Sequence, residues 1–243
     1  MHYNRLLRTD VRTDKLFTEK LQGISTMRNK SIALFVFVIF MSAANNLEAE
    51  VITKSVSYEH NGEKLSGFMA WNDDSDAKRP GVLVVHEWWG LNDYARERAK
   101  QLAELGYVAF ALDMYGEGKV AEHPKDAKAW SSEISENVDT CVGRANPGLE
   151  QLIKHPQVDQ QRIAAIGYCF GGATVCQLAY HKAPVKGVVS FHGSLPVPSE
   201  EQAKATKAKL LICHGAEDGF IPEQRVLEIQ NTLDKAGADY QFS

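Results

Sequence analysis

Ile163-Ala164-Ala165-Ile166 is a short apolar run. It leads through Gly167-Tyr168-Cys169-Phe170-Gly171-Gly172 directly into a second apolar stretch that ends near Tyr180. A buried strand that turns sharply into a helix needs small residues on both sides of the turn, and Gly167 and Gly171 supply them. The rest of the chain repeats this alternation. Patterning predicts strands over 51–58, 65–71, 81–85, 107–112, 162–166, 185–191, 209–213 and 239–242. It predicts helices over 93–105, 124–137, 171–180, 200–207 and 223–236, with 149–154 as part of another. Asn61-Gly62 is a hairpin-turn signal between the first two strands. The run GVLVV at 81–85 is wholly apolar, as in the buried middle of a parallel sheet. Strands alternating with helices imply an α/β fold with a mostly parallel sheet and helices on both faces, in one domain over 51–243.

Three segments of this framework carry chemistry. The turn around Cys169 has the nucleophile-elbow pattern, with cysteine where a serine is more usual. Such a turn pushes the side chain out at a helix N-terminus, where the dipole and free N–H groups favour a thiolate. The next N–H, that of Phe170, is placed to meet a developing oxyanion. The plain alternative is a glycine-rich turn around an inert buried cysteine. His86-Glu87-Trp88-Trp89-Gly90 follows the strand at 81–85, where a loop supplies the second oxyanion N–H in this architecture. Glu87 reads equally as a solvated carboxylate, and the tryptophan pair as packing. His214-Gly215-Ala216-Glu217-Asp218-Gly219-Phe220-Ile221-Pro222 follows the strand at 209–213. An acid on the loop after a later strand orients a histidine, so Asp218 is the candidate and Glu217 its alternative.

Taken together, the segments resemble the dienelactone hydrolase family of the α/β-hydrolase superfamily. The matching residues are Gly167-Tyr168-Cys169-Phe170-Gly171-Gly172, Glu87-Trp88-Trp89-Gly90 and His214 to Pro222, with Leu112-Asp113-Met114-Tyr115-Gly116 as a further likeness. The resemblance implies hydrolysis of esters or lactones through a Cys169 thioester, without cofactor or metal. It also implies that Glu87 interacts with the resting thiol and that Trp88 and Phe170 N–H groups form the oxyanion hole. Trp88, Trp89, Phe170, Met114 and Tyr115 suggest an aromatic-lined apolar pocket beside Cys169. No arginine matches a clamp for a substrate carboxylate.

In this family the catalytic histidine lies some thirty residues beyond the acid, which here falls past Ser243; no histidine follows His214. The expectation is a C-terminally truncated α/β-hydrolase domain of impaired activity, with its last strand and helix incomplete. His86, His192 and His214 all sit at strand ends from which an imidazole could reach Cys169, with His192 first among them. The rival reading is a catalytically dead binding protein on the same scaffold. A thiol-transfer role would want a C-x-x-C pair, and the four cysteines show none.

The first fifty residues differ from the rest. Met27-Arg28-Asn29-Lys30 is basic, IALFVFVIFM at 32–41 is apolar, and small residues follow. This is the order of a secretory signal peptide over 27–49, cleaved near Ala44 or Ala49, with 1–26 as an extension upstream of the true start. It implies a periplasmic or secreted protein without stable membrane insertion after cleavage. Lys and Arg number 27 against 31 Asp and Glu, a net charge of −4, which gives no case for nucleic-acid binding. The expected partner is a small-molecule ester or lactone substrate, met by a monomer or small oligomer.

Overall fold

The computed structural model describes residues 50–73 and 76–243, so the 1–26 extension and the 27–49 signal peptide lie outside the described residues. The first strands, β1 (Val51–His60) and β2 (Glu63–Asn72), pair antiparallel along their whole length. Asn61 at φ 49° and Gly62 at φ 82° make the left-handed turn between them, as an Asn-Gly hairpin requires.

The chain continues through β3 (Arg79–Val85), α1 (Asp93–Glu104), β4 (Val108–Ala111), α2 (Pro124–Ser135), α3 (Val138–Lys154) and β5 (Val158–Tyr168). It ends with α4 (Phe170–Tyr180), β6 (Gly187–Phe191), α5 (Glu200–Ala205), β7 (Lys209–Cys213), α6 (Glu223–Ala236) and β8 (Tyr240–Phe242). The eight strands among the described residues form one sheet in the order β1-β2-β4-β3-β5-β6-β7-β8. β2 is antiparallel to both its neighbours, and every pair from β4 to β8 is parallel. The expected mostly parallel α/β sheet is therefore present. Parallel strands share a carboxyl edge, so the loops leaving β3, β5, β6 and β7 meet there.

Helices cover both faces. On one, α1 lays Ala95, Ala99 and Ala103, one helical turn apart, against Phe68, Ala70, Val84, Ala109 and Ala111. On the other, α3 and α4 cover Leu83, Val85, Phe110, Leu112, Ile163 and Ala165. Beyond α1, the first face is less covered. The cross-strand row Ile166, Val189 and Leu211 is half-buried, while the next row, Ala165, Val188 and Leu210, is fully buried on the opposite face. The helix of which 149–154 is part, α3, begins at Val138, where the Asn137 side chain accepts from the Thr140 N–H at 3.0 Å. No helix among the described residues is long and apolar enough to cross a membrane. Cys141, Cys169, Cys176 and Cys213 are all unpaired.

Candidate active site

The turn from β5 into α4 works because two backbones touch where side chains would otherwise stand. A Cβ on Gly167 would lie 2.0 Å from the Gly171 carbonyl oxygen, and one on Gly171 would lie 2.3 Å from that of Val85. Glycine at both positions lets α4 start hard against the end of β3. Cys169 takes φ 54° and ψ −113° at the apex, a conformation rare for a residue with a side chain. Its N–H donates to the Phe191 carbonyl at 2.8 Å, which ties the elbow to β6.

The surroundings of the thiol come from three loops. The backbone N–H groups of Phe170 and Trp88 and the carboxylates of Glu87 and Asp218 are the groups whose charge acts on the Cys169 thiol. Burial pushes the thiol up, the two N–H donors pull it down, and the two carboxylates push it up again. The net direction is up. The position at a helix N-terminus suggested a favoured thiolate; half-burial and two carboxylates outweigh it, so the resting group is a thiol.

The loop after β3 is fixed from behind. His86 is buried, its ring 5.8 Å from that of Phe170 and 5.0 Å from that of Tyr115. Nδ1 donates to the Glu87 carbonyl at 2.5 Å, and Nε2 accepts from the Met114 N–H at 3.3 Å. Those two bonds require the neutral imidazole, and burial holds His86 down at about 4. His86 is therefore committed to the loop, not free to reach Cys169 as its place at a strand end suggested.

After β7, Asp218 turns back toward the site. Its Oδ1 accepts from the Phe220 N–H at 2.9 Å, and Oδ2 lies 2.6 Å from Nδ1 of His192 and 3.9 Å from Nδ1 of His214. The Phe220 N–H, with help from His192 and then His214, holds the Asp218 carboxyl below the ordinary carboxylate range. The His192 side chain is 55% exposed, with its backbone at φ 54°, so the ring stands at the rim with its far nitrogen open. The His214 side chain is only 9% exposed.

A cavity of about 520 Å³ opens over Cys169. Trp88, Trp89, Phe170 and His192 line it, as the sequence suggested, and Glu87 lines it as well. Met114 and Tyr115, expected in this pocket, do not line it. Asp113 accepts from the N–H groups of Tyr115 and Gly116 at 2.9 Å and of Gly118 and Ser66 at 3.0 Å. That cradle curls the loop so that Met114 is fully buried and Tyr115 faces the back of the Trp88 loop, donating from its hydroxyl to the Trp88 carbonyl at 3.0 Å. The sequence reading missed the opposite wall. Ser131, Ser132, Ser135 and Glu136, from the end of α2, line the cavity with Ser194, Phe220 and Ile221. The serines share one helix face by spacing, but no motif distinguishes that face from a solvated one.

The chain matches the model of the dienelactone hydrolase family over residues 65–243. It is 31% identical over 193 residues to Protein usf of Aquifex pyrophilus, covering 76% of this chain and 80% of that protein. A protein of Aquifex aeolicus named for carboxymethylenebutenolidase is 31% identical over 192 residues, with the same coverage. Among solved structures, a dienelactone hydrolase-like promiscuous phosphotriesterase from metagenomic libraries superposes with a TM-score of 0.76 at 33% identity. That match covers 79% of this chain and 80% of the other. With a family model spanning the elbow, the loop after β3 and the Asp218 loop, and relatives of this identity over most of their length, the chain belongs to the dienelactone hydrolase family of α/β-hydrolases.

Proposed function

We propose that this chain hydrolyses neutral carboxylic esters or lactones, with Cys169 as the nucleophile. The observation that carries the reading is the place of Cys169 at the apex of the elbow, at φ 54°, in one cavity with Trp88 and Phe170, whose N–H groups act on its thiol. Two donors aimed at one point beside a nucleophile are what a tetrahedral oxyanion needs. An imidazole takes the thiol proton as Sγ bonds to the carbonyl carbon. The oxyanion forms against the two N–H groups and collapses, and the leaving alkoxide takes the proton from the imidazolium. Water, deprotonated by the same imidazole, then cleaves the thioester and restores the thiol. Glu87 and Asp218 keep the resting thiol protonated until the imidazole takes its proton.

The imidazole that Asp218 holds among the described residues is His192. Cys169→Ala is expected to abolish turnover of a small activated ester such as p-nitrophenyl butyrate, while Cys176→Ala, buried behind the elbow, retains it. Equal rates in Cys169→Ala and wild type would remove the assignment. His192→Ala then identifies the base. A loss of about 100-fold or more assigns it to His192; an unchanged rate takes the role from His192 and leaves His214, the other imidazole beside Asp218, to be tested by the same substitution.

One observation favours a second reading, a scaffold that binds without turnover: the thiol is pushed up and the charges facing it are both carboxylates. Stoichiometric acylation of Cys169 without further product would support it. We also propose a periplasmic or secreted location, on the basic–apolar–small pattern of 27–49. A mature N-terminus just after Ala44 or Ala49 supports it; retention of residues 27–44 in the natural protein overturns it.

A further inference from the structure

Whether Trp88 can stabilise an oxyanion depends on the direction of one N–H bond, and that direction is set on the far side of the loop. In a trans peptide the C=O and N–H of one unit point opposite ways. The Trp88 N–H shares its peptide unit with the Glu87 carbonyl. That carbonyl accepts from Nδ1 of His86 at 2.5 Å and from the Gly90 N–H at 3.3 Å. The next unit is held as well, since the Trp88 carbonyl accepts from the Tyr115 hydroxyl at 3.0 Å. Both peptides flanking the Trp88 Cα are thus anchored by side chains that do not line the cavity over Cys169.

We propose that His86 and Tyr115 are positioning residues for the ester hydrolysis described above: together they fix the peptide planes on either side of Trp88, so that its N–H is aimed at the oxyanion before substrate arrives. The inference rests on Cys169 being the nucleophile. His86 suits the task because each ring nitrogen is used. Met114 N–H occupies Nε2, which leaves the ring proton on Nδ1, where only the Glu87 carbonyl is in place to accept it. The Met114 N–H is itself held by the loop that Asp113 cradles through four backbone N–H groups. Tyr115 belongs to the same loop, so a single rigid support carries both anchors. Preorganised donors matter because a loop free to rotate would turn the N–H toward water and lose alignment in the transition state.

The test compares two reactions of one sulfur. Acylation of Cys169 by p-nitrophenyl acetate forms the S–C(O) bond, expels p-nitrophenolate and passes through an oxyanion. Alkylation by iodoacetamide forms an S–C bond, expels iodide and makes no oxyanion. Both are read on the 243-residue chain at the high-pH plateau, where the thiolate is already formed. Tyr115→Phe, nearly isosteric, is expected to slow acylation about tenfold and leave alkylation within about twofold. His86→Leu is expected to slow acylation by about 100-fold, and His86→Gln to recover part of that, because its amide N–H can donate to the Glu87 carbonyl. Acylation at the wild-type rate in Tyr115→Phe, or acylation and alkylation falling in parallel in all three variants, overturns the proposal. A p-nitrophenolate burst that persists in Cys169→Ala instead overturns the nucleophile assignment, and this inference with it.

Discussion

Cys169 holds φ 54° with a side chain attached, and backbone in that region costs on the order of 1–3 kcal/mol unless glycine occupies it. Cys169→Gly and Cys169→Ala both remove the thiol, but only the glycine variant relaxes the elbow. Cys169→Gly should therefore be the more stable of the two by about 1 kcal/mol in urea denaturation; equal midpoints would show an unstrained turn. A second residue-scale consequence concerns His86. Burial, opposed by its bond to the Glu87 carbonyl and by the Asp113 charge, lowers it from 6.5 to about 4. Below pH 6.5 the unfolded chain takes up a proton that the folded chain refuses until about pH 4. Stability from this residue is thus full above pH 6.5 and falls as the pH drops through that window. Wild type should lose about 2 kcal/mol more than His86→Gln between pH 7 and pH 5. Parallel losses in the two proteins would mean that His86 is not buried neutral. The sequence made Cys169, Glu87 and Asp218 legible because each sits at a fixed offset from a strand end. It did not reveal that Met114 and Tyr115 turn away from the pocket, because the Asp113 cradle that turns them recruits a backbone N–H from Ser66 on β2, far away in the chain.

Strand and helix positions were mostly legible from period and punctuation, and the exception is informative. Only the part at 149–154 was legible there, yet α3 runs from Val138 to Lys154 through Gly143, Pro147 and Gly148. Tertiary contact overrides local propensity here. Gly148 lies where a Cβ would meet Leu112 at 2.0 Å, and Gly143 where one would meet the His60 ring at 2.3 Å. The glycines let α3 approach the sheet closely, and the burial of Cys141, Ala145, Leu149 and Leu152 that follows offsets their poor helix propensity. In β7, alternate residues face differently covered sides. Leu210 is fully buried against the α3–α4 side, whereas Leu211 is half-buried beyond α1. Leu210→Ala should cost about 3 kcal/mol and Leu211→Ala less than half of that. Equal costs in urea denaturation would show that something covers the second face as tightly as the first.

At the scale of the whole molecule, the cavity over Cys169 is assembled from the loops after β3, β5, β6 and β7 and from the end of α2, and among the described residues its lining includes Glu87 and Glu136 but no lysine or arginine. A substrate carboxylate would face those two charges and Asp218 in a chain already at net charge −4. A neutral ester such as p-nitrophenyl butyrate should therefore exceed its carboxylate-bearing analogue, the mono-p-nitrophenyl ester of succinate, by about tenfold or more in kcat/KM, and Glu136→Gln should narrow the gap. Equal rates for the two esters would place a cation in the path of the substrate. The alternation of strand and helix, the elbow at Cys169 and the edge at which the chemistry gathers were determined by the sequence alone, because each is a local pattern of period, glycine placement and strand end. Which imidazole meets Asp218, which way His86 faces and what walls the cavity were decided only by the tertiary structure. Those outcomes depend on strand order, which sets β3 between β4 and β5 and β6 between β5 and β7, and so brings together loops that no local pattern links.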